Sequence, residues 1–164
     1  VRAITVAKLK PVGNALLWDV GCGCGTVAIE WMRAAPSSRA IGIDARLDRC
    51  ELTSINALNL GVPDLRVIQG NVPSALRELD PPNAIFIGGG FTKETFDLCW
   101  AELKSMGRLV VNAVTLESEA LLLNLYKNYG GELTKISINR VESIGNSAVW
   151  KPFKPITQWS LEKQ

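Results

Sequence analysis

Residues Asp19 to Thr26 read Asp-Val-Gly-Cys-Gly-Cys-Gly-Thr, so Gly21, Gly23 and Gly25 stand at every second position behind a carboxylate. Glycines in that pattern let the backbone turn tightly and approach a ligand without interference from Cβ atoms. An apolar run, Leu16 to Trp18, precedes the turn, and a helical-period segment opening on Val27 follows it. The turn therefore joins a strand to a helix, and the free N–H groups at the helix start suit a nucleotide-type cofactor. A dinucleotide fingerprint, G-x-G-x-x-G/A, counted from Gly21 finds Gly23 in second place but Thr26 in third, where close helix packing prefers Gly or Ala. The spacing present is instead D-x-G-x-G-x-G. A second carboxylate, Asp44, ends the next apolar run, 19 residues past Gly25. There it can accept hydrogen bonds from both hydroxyls of a ribose, or cap a helix that begins at Arg46.

Three further residues carry chemistry at the end of the fifth apolar run. The Thr115 hydroxyl can donate to a substrate carboxylate and Glu117 can move a proton, with Asn112 beside them; Thr115 can equally be the N-cap of the helix from Leu116, with Glu117 and Ser118 in its first turn. Gly88-Gly89-Gly90-Phe91 follows the fourth run as an open loop that offers no acid or base and suits a flat ligand lying close to the backbone. The chain has no histidine, which removes Ser-His-Asp and Cys-His triads, His-ligated zinc and imidazole bases. Cys22 and Cys24 form a C-x-C pair, but Cys50 and Cys99 each stand alone within an expected helix. No metal is expected, and the two turn cysteines read as small packing residues.

The elements that must position these groups follow from hydropathy. Ala15–Asp19, Ala40–Asp44, Leu65–Gln69, Ala84–Ile87 and Arg108–Ala113 are short runs of Val, Ile, Leu and Ala and read as strands. Thr26–Ala34, Arg46–Leu60, Ser74–Leu79, Thr92–Leu103 and Leu116–Tyr129 carry apolar residues at helical spacing and end at Gly, Pro or polar clusters. Alternating β and α means a parallel sheet with helices on both faces, and strands apolar throughout are buried on both sides. After Gly131, the segments Leu133–Val141 and Ala148–Trp150 read as an antiparallel hairpin or edge pair closing a seven-stranded, mostly parallel sheet. The 164 residues are 47% apolar, which suits one core and one domain spanning residues 1–164. The longest charge-free stretches are twelve residues, Leu52–Pro63 and Pro81–Thr92, short of the ~20 that a membrane helix needs. A net charge of +2 lacks the basic footprint of a nucleic-acid binder. Scattered, unpaired cysteines suit a reducing, cytoplasmic setting.

The D-x-G-x-G-x-G turn resembles motif I of the class I S-adenosylmethionine-dependent methyltransferases, a Rossmann-like α/β fold. That resemblance implies S-adenosyl-L-methionine as cofactor, with Gly21, Cys22, Gly23, Gly25 and Thr26 bending around its methionine part and Asp19 helping to hold its amino group. It places Asp44 on the ribose and Asn71, with Val72, at the adenine. Many methyltransferases have an acidic residue at the position of Asn71, whose amide oxygen can still accept from the adenine amine. Gly88 then lies on the cofactor side of the glycine loop. Amine methyltransferases commonly carry an Asn/Asp-Pro-Pro-aromatic signature where this chain has Gly88-Gly89-Gly90.

Over essentially its whole length the chain resembles the precorrin methyltransferase/decarboxylase family of vitamin B12 biosynthesis. The carriers are Val1-Arg2-Ala3, Leu17-Trp18-Asp19-Val20-Gly21, Phe86-Ile87-Gly88-Gly89-Gly90, Asn112-Ala113-Val114-Thr115-Leu116-Glu117-Ser118, Trp150-Lys151-Pro152 and Pro155-Ile156-Thr157-Gln158-Trp159. The resemblance implies methylation of a precorrin at carbon 15 with decarboxylation of the ring C acetate, a homotetramer, and an N-terminal methyltransferase domain in a longer protein. The late apolar residues Trp150, Phe153 and Trp159 are then available for an interface. Family members usually carry a Thr- and Lys-containing segment just before the residues matching Val1-Arg2-Ala3, so either an excised domain or an incompletely ordered N-terminus is expected, and with it an incomplete active-site lid. Arg2, Lys8, Arg140, Lys151 and Lys154 are candidate partners for the carboxylates of the tetrapyrrole. The readings set against this are a class I methyltransferase acting on RNA or a small molecule, a nicotinamide oxidoreductase, and a catalytically silent cofactor-binding module.

Overall fold

A computed structural model describes residues 1–164. In chain order the elements are α1 (Arg2–Leu9), β1 (Leu16–Val20), α2 (Thr26–Ala34), β2 (Arg39–Asp44), α3 (Leu47–Asn59), β3 (Arg66–Gln69), β4 (Ala84–Ile87), α4 (Lys93–Glu102), β5 (Arg108–Ala113), α5 (Leu116–Tyr129), β6 (Glu132–Ile136), β7 (Asn139–Ile144), β8 (Ser147–Pro152) and β9 (Ile156–Glu162). Seven strands form one sheet in the order β3-β2-β1-β4-β5-β9-β6. The first five are parallel, and β9 runs antiparallel between β5 and β6.

Side chains alternate across each strand, so a strand apolar throughout feeds two cores at once. Leu16, Trp18 and Val20 of β1, Ile85 and Ile87 of β4, and Leu109 and Val111 of β5 point to one face, where Phe96, Leu103, Leu122 and Leu125 of α4, α5 and their edges cover them. Leu17, Phe86 and Val110 point to the other, under Leu9, Ala28, Trp31 and Ala57 of α1, α2 and α3. Trp159 of β9 is wholly buried against the Phe96 ring at 5.5 Å and donates from its indole nitrogen to the Gly130 carbonyl at 2.8 Å. It belongs to the interior and is lost to any interface.

The sequence pattern fails in three places. The sheet is closed by β9 and β6, whereas Asn139–Pro152 forms a separate two-stranded hairpin, β7-β8, with every residue exposed. Its few apolar side chains, Val141, Ile144, Val149 and Trp150, find no helix to cover them. The helix expected over Ser74–Leu79 is only a 3₁₀ turn at Ser74–Leu76, with Leu76 its one buried residue. Helix α1, eight residues long, is absent from the sequence reading, and it buries only Thr5 and Leu9. No helix is long and apolar enough to cross a membrane.

Candidate cofactor and active site

The carboxyl ends of the parallel strands, where ligands bind in open α/β sheets, carry a cleft of about 330 Å³ between the turn after β1, the end of β2 and the loops after β3 and β4. Gly21, Asp44, Asn71, Val72, Gly89 and Gly90 line it, joined by Arg46 and Arg49. A larger hollow, about 470 Å³, opens at the opposite ends of the strands around Arg39, Asp64, Arg66 and Asp80, remote from the glycine turn. Chemistry follows the smaller one, because Gly21 of the glycine turn, the Asp44 carboxylate and the backbone of the loops after β3 and β4 converge there.

Gly21, Gly23 and Gly25 adopt φ of 71°, 61° and 77°, so all three occupy the left-handed region that only glycine enters readily. At Gly25 a Cβ would also stand 2.6 Å from Thr53 Cγ2 of α3, so the turn is pressed onto that helix. Thr53 returns a hydrogen bond from its hydroxyl to the Gly23 carbonyl at 3.0 Å, and Asn56 donates to the Cys24 carbonyl at 3.0 Å. Cys22 is buried against Thr53, and burial, helped by the Asp19 charge, pushes its thiol up to about 12. It is a packing group with no thiolate to offer near neutral pH.

Asp44 is 5% exposed and does structural work on both oxygens. Oδ1 accepts from the Arg46 N–H at 3.0 Å, starting α3, and Oδ2 accepts from the Gly23 N–H at 3.0 Å, with Arg49 Nη1 3.7 Å away. One carboxylate thus fixes the glycine turn and the start of α3 while facing the cleft. Each oxygen keeps a further lone pair for a ligand hydroxyl. Asp44→Ala is expected to leave a folded chain whose affinity for S-adenosylhomocysteine falls by about 1–3 kcal/mol, the scale of hydrogen bonds to a charged group. Isothermal titration checks this; unchanged affinity would make Asp44 a backbone tether only.

Asp19 lies beneath the turn, 1% exposed. Its Oδ2 accepts from the Ala28 N–H at 2.9 Å, whereas Oδ1 has no partner. Burial pushes its carboxyl up to about 7, the Ala28 N–H opposes this, and the neighbouring Asp44 charge adds to it. Asp19 thus keeps one buried acceptor without a donor and lies behind the cleft rather than lining it.

The other expected residues divide. Gly25, Cys22 and Thr26 shape the turn from behind rather than lining the cleft, and Gly88 is exposed beside it, held by its N–H to the Val20 carbonyl at 2.8 Å. Thr115 is the N-cap of α5, accepting from the Ser118 N–H at 3.2 Å. Glu117 is exposed in the first turn of that helix. The Asn112 amide is engaged at both ends, donating to Thr5 Oγ1 at 3.2 Å and accepting from Gln158 Nε2 at 2.8 Å. This network pins α1 across β5 and β9. Arg49, Thr53 and the Thr5–Gln158 pair escape sequence reasoning, since they meet the site from elements distant in the chain.

A β3-β2-β1-β4-β5 parallel core with an antiparallel strand inserted beside β5, and a glycine turn after β1 facing an acid after β2, define a class I S-adenosylmethionine-dependent methyltransferase. A model of the precorrin methyltransferase domain matches residues 1–163, and the chain belongs to that family. It is 46% identical over 99% of its length to a precorrin-6Y C(5,15)-methyltransferase [decarboxylating] from Sinorhizobium sp, of which it covers 40%. The chain therefore spans well under half of that relative. It is 31% identical, over 95% of its length and 83% of the other's, to a protein of Pyrobaculum aerophilum named as a probable cobalt-precorrin-6B C(15)-methyltransferase (decarboxylating). The crystal structure of the C-terminal domain of precorrin-6Y C5,15-methyltransferase from Rhodobacter capsulatus superposes with a TM-score of 0.92 at 43% identity, covering 99% of this chain and 88% of that one.

Proposed function

We propose that this chain transfers a methyl group from S-adenosylmethionine to carbon 15 of a precorrin and promotes loss of carbon dioxide from the ring C acetate, a step of cobalamin biosynthesis. The match of the precorrin methyltransferase domain across residues 1–163 carries this reading. When bound, the cofactor supplies an electrophilic methyl on its sulfonium. Asp19 and the turn Gly21–Thr26 hold its amino-acid end, Asp44 its ribose, and Asn71 with Val72 its adenine, with Gly88 bordering the site. The loop Gly88–Gly90 contributes backbone and no acid or base, which suits an electron-rich ring carbon that needs alignment and exclusion of water rather than deprotonation.

Asn112, near the end of β5, and Thr115 and Glu117, just after it, stand on the substrate side. Asn112 acts by positioning, through its bonds to Thr5 and Gln158. Thr115 caps α5 and gives its O–H to the Ser118 hydroxyl at 3.1 Å, so it meets a substrate carboxylate by turning that O–H away from Ser118, and Glu117 is exposed for proton exchange with the ring. Protonation of the conjugated ring makes it the electron sink for decarboxylation, so no further cofactor is needed.

We further propose that the full-length protein carries an N-terminal methyltransferase domain, which the 40% coverage of the Sinorhizobium relative supports. The protein works in the cytoplasm, consistent with four free cysteines. It assembles as a homotetramer, with Trp150 at 71% exposure, Val141 and Phe153 available for contact. A light-scattering mass at the monomer value of 17.8 kDa would remove the oligomer claim. The activity is tested by mass spectrometry after incubation with S-adenosylmethionine and a precorrin pool. One methyl gained with one carbon dioxide lost is expected; methyl gain alone would sink the coupled assignment, and transfer to RNA would sink the substrate class.

A further inference from the structure

A second cleft, about 440 Å³, opens at the same carboxyl edge of the sheet, beside the cofactor site. Its walls are Val114, just after β5, Ile136 at the end of β6, Ile138 in the link to β7, and Ile156 at the start of β9. Ile136 and Ile156 are cross-strand partners, so the floor is sheet rather than loop. From β1, whose turn carries the glycines, to β9 is three strand steps, about 14 Å at the usual spacing. A small amine or hydroxyl substrate cannot reach from one cleft to the other, whereas a flat macrocycle with side chains can.

The polar side chains of this cleft are Arg140 and Lys154, and no carboxylate lines it. Of the five cations singled out above, Arg2 faces Glu30, Lys8 bonds Glu132 and Lys151 bonds Glu142. Arg140 and Lys154 make no ion pair, and the Arg140 guanidinium lies 5.3 Å over the Phe153 ring, held at the apolar rim. Two unpaired cations above an aliphatic floor match a planar apolar ring edged with carboxylates.

We propose that this cleft receives the far side of the tetrapyrrole, with Arg140 and Lys154 each taking a peripheral carboxylate while the ring lies on Val114, Ile138 and Ile156. The proposal rests on the precorrin reading given above and assigns it a substrate subsite. Reversing both charges, R140E/K154E, is expected to lower methyl transfer at limiting precorrin at least about tenfold, the scale of one lost charge-assisted contact. Both residues are exposed, and S-adenosylhomocysteine affinity within about twofold of wild type serves as the check on folding. K151A, which removes a cation already paired with Glu142, is expected to behave as wild type.

If the wild-type chain methylates the precorrin and the double variant does so equally well at limiting substrate, the subsite is wrong and the activity stands. If the wild type leaves precorrin untouched, the activity reading fails, and binding of uroporphyrin, an octacarboxylate tetrapyrrole, judges the cleft separately by fluorescence titration. Uroporphyrin binding lost in R140E/K154E supports the subsite, and no binding or equal binding overturns it. A light-scattering mass that drops to the monomer only in the double variant would make the cleft an interface between copies, and would also overturn it.

Discussion

Asp19→Asn is expected to abolish measurable S-adenosylhomocysteine binding while making the ligand-free chain more stable at pH 8. Burial holds the Asp19 carboxyl at about 7 against an ordinary value of 3.8. Below about pH 4 the group is protonated whether the chain is folded or not, and it adds no pH dependence. Between about 4 and 7 the folded state keeps a proton that the unfolded state has lost, so stability falls as pH rises through that window. Above 7 the full cost, on the order of 4 kcal/mol, is present because an anion sits buried with one oxygen unpartnered. An asparagine keeps the acceptor for the Ala28 N–H and removes the charge. Urea denaturation at pH 5 and pH 8 checks this: the variant should gain stability over wild type at pH 8 and much less at pH 5. On the role proposed for Asp19, the same ionisation supplies the counter-charge of the cofactor's ammonium. Wild-type affinity should therefore rise with pH up to about 7 and then level off. A pH-independent affinity together with an asparagine variant that still binds would remove Asp19 from the cofactor site.

What was legible in the sequence tracks what is local. β1, β2, β4 and β5 are buried on both faces, so their composition alone marks them, and the glycine turn and Asp44 follow from strand ends counted along the chain. The hairpin β7-β8 reads as part of the sheet because a short apolar run such as Ala148-Val149-Trp150 looks the same whether or not a helix covers it. Only the pairing of β9 with both β5 and β6 shows that the sheet is complete without it. Thr115 carries two compatible roles, and its hydrogen bond to the Ser118 N–H establishes the capping one. In the sequence Asn112 stands only beside Thr115 and Glu117; its partners Thr5 and Gln158 lie 107 and 46 residues away, beyond any spacing argument. Arg49 and Thr53 reach the turn only because α3 packs over it.

Gly21→Ala should be far more damaging than Gly23→Ala, although the two glycines look equivalent in the sequence. At Gly23 a Cβ meets nothing within 4 Å, so alanine there costs only the left-handed backbone, about 1–2 kcal/mol. At Gly21 the φ of 71° carries the same cost, and the Cβ would stand 2.5 Å from Gly89 N and 2.6 Å from Gly89 Cα. Those are backbone atoms, and both loops are tied to the sheet: Gly21 N–H bonds the Ile43 carbonyl at 2.8 Å, and Gly89 N–H the Val20 carbonyl at 3.3 Å. Neither can retreat without breaking a ladder contact, so the overpacking term of about 1–3 kcal/mol adds to the strain. A total of about 2–5 kcal/mol in stability is expected, with cofactor affinity reduced at least about a hundredfold because the two loops that line the cleft are forced apart. Gly89→Ala is the matching control, since its Cβ would meet Gly21 Cα at an ordinary 3.5 Å. Urea denaturation and calorimetric titration of the three variants decide the matter. Equal losses for Gly21→Ala and Gly23→Ala would mean that the loops give way freely and that the close approach of Gly21 to Gly89 has no part in holding the site.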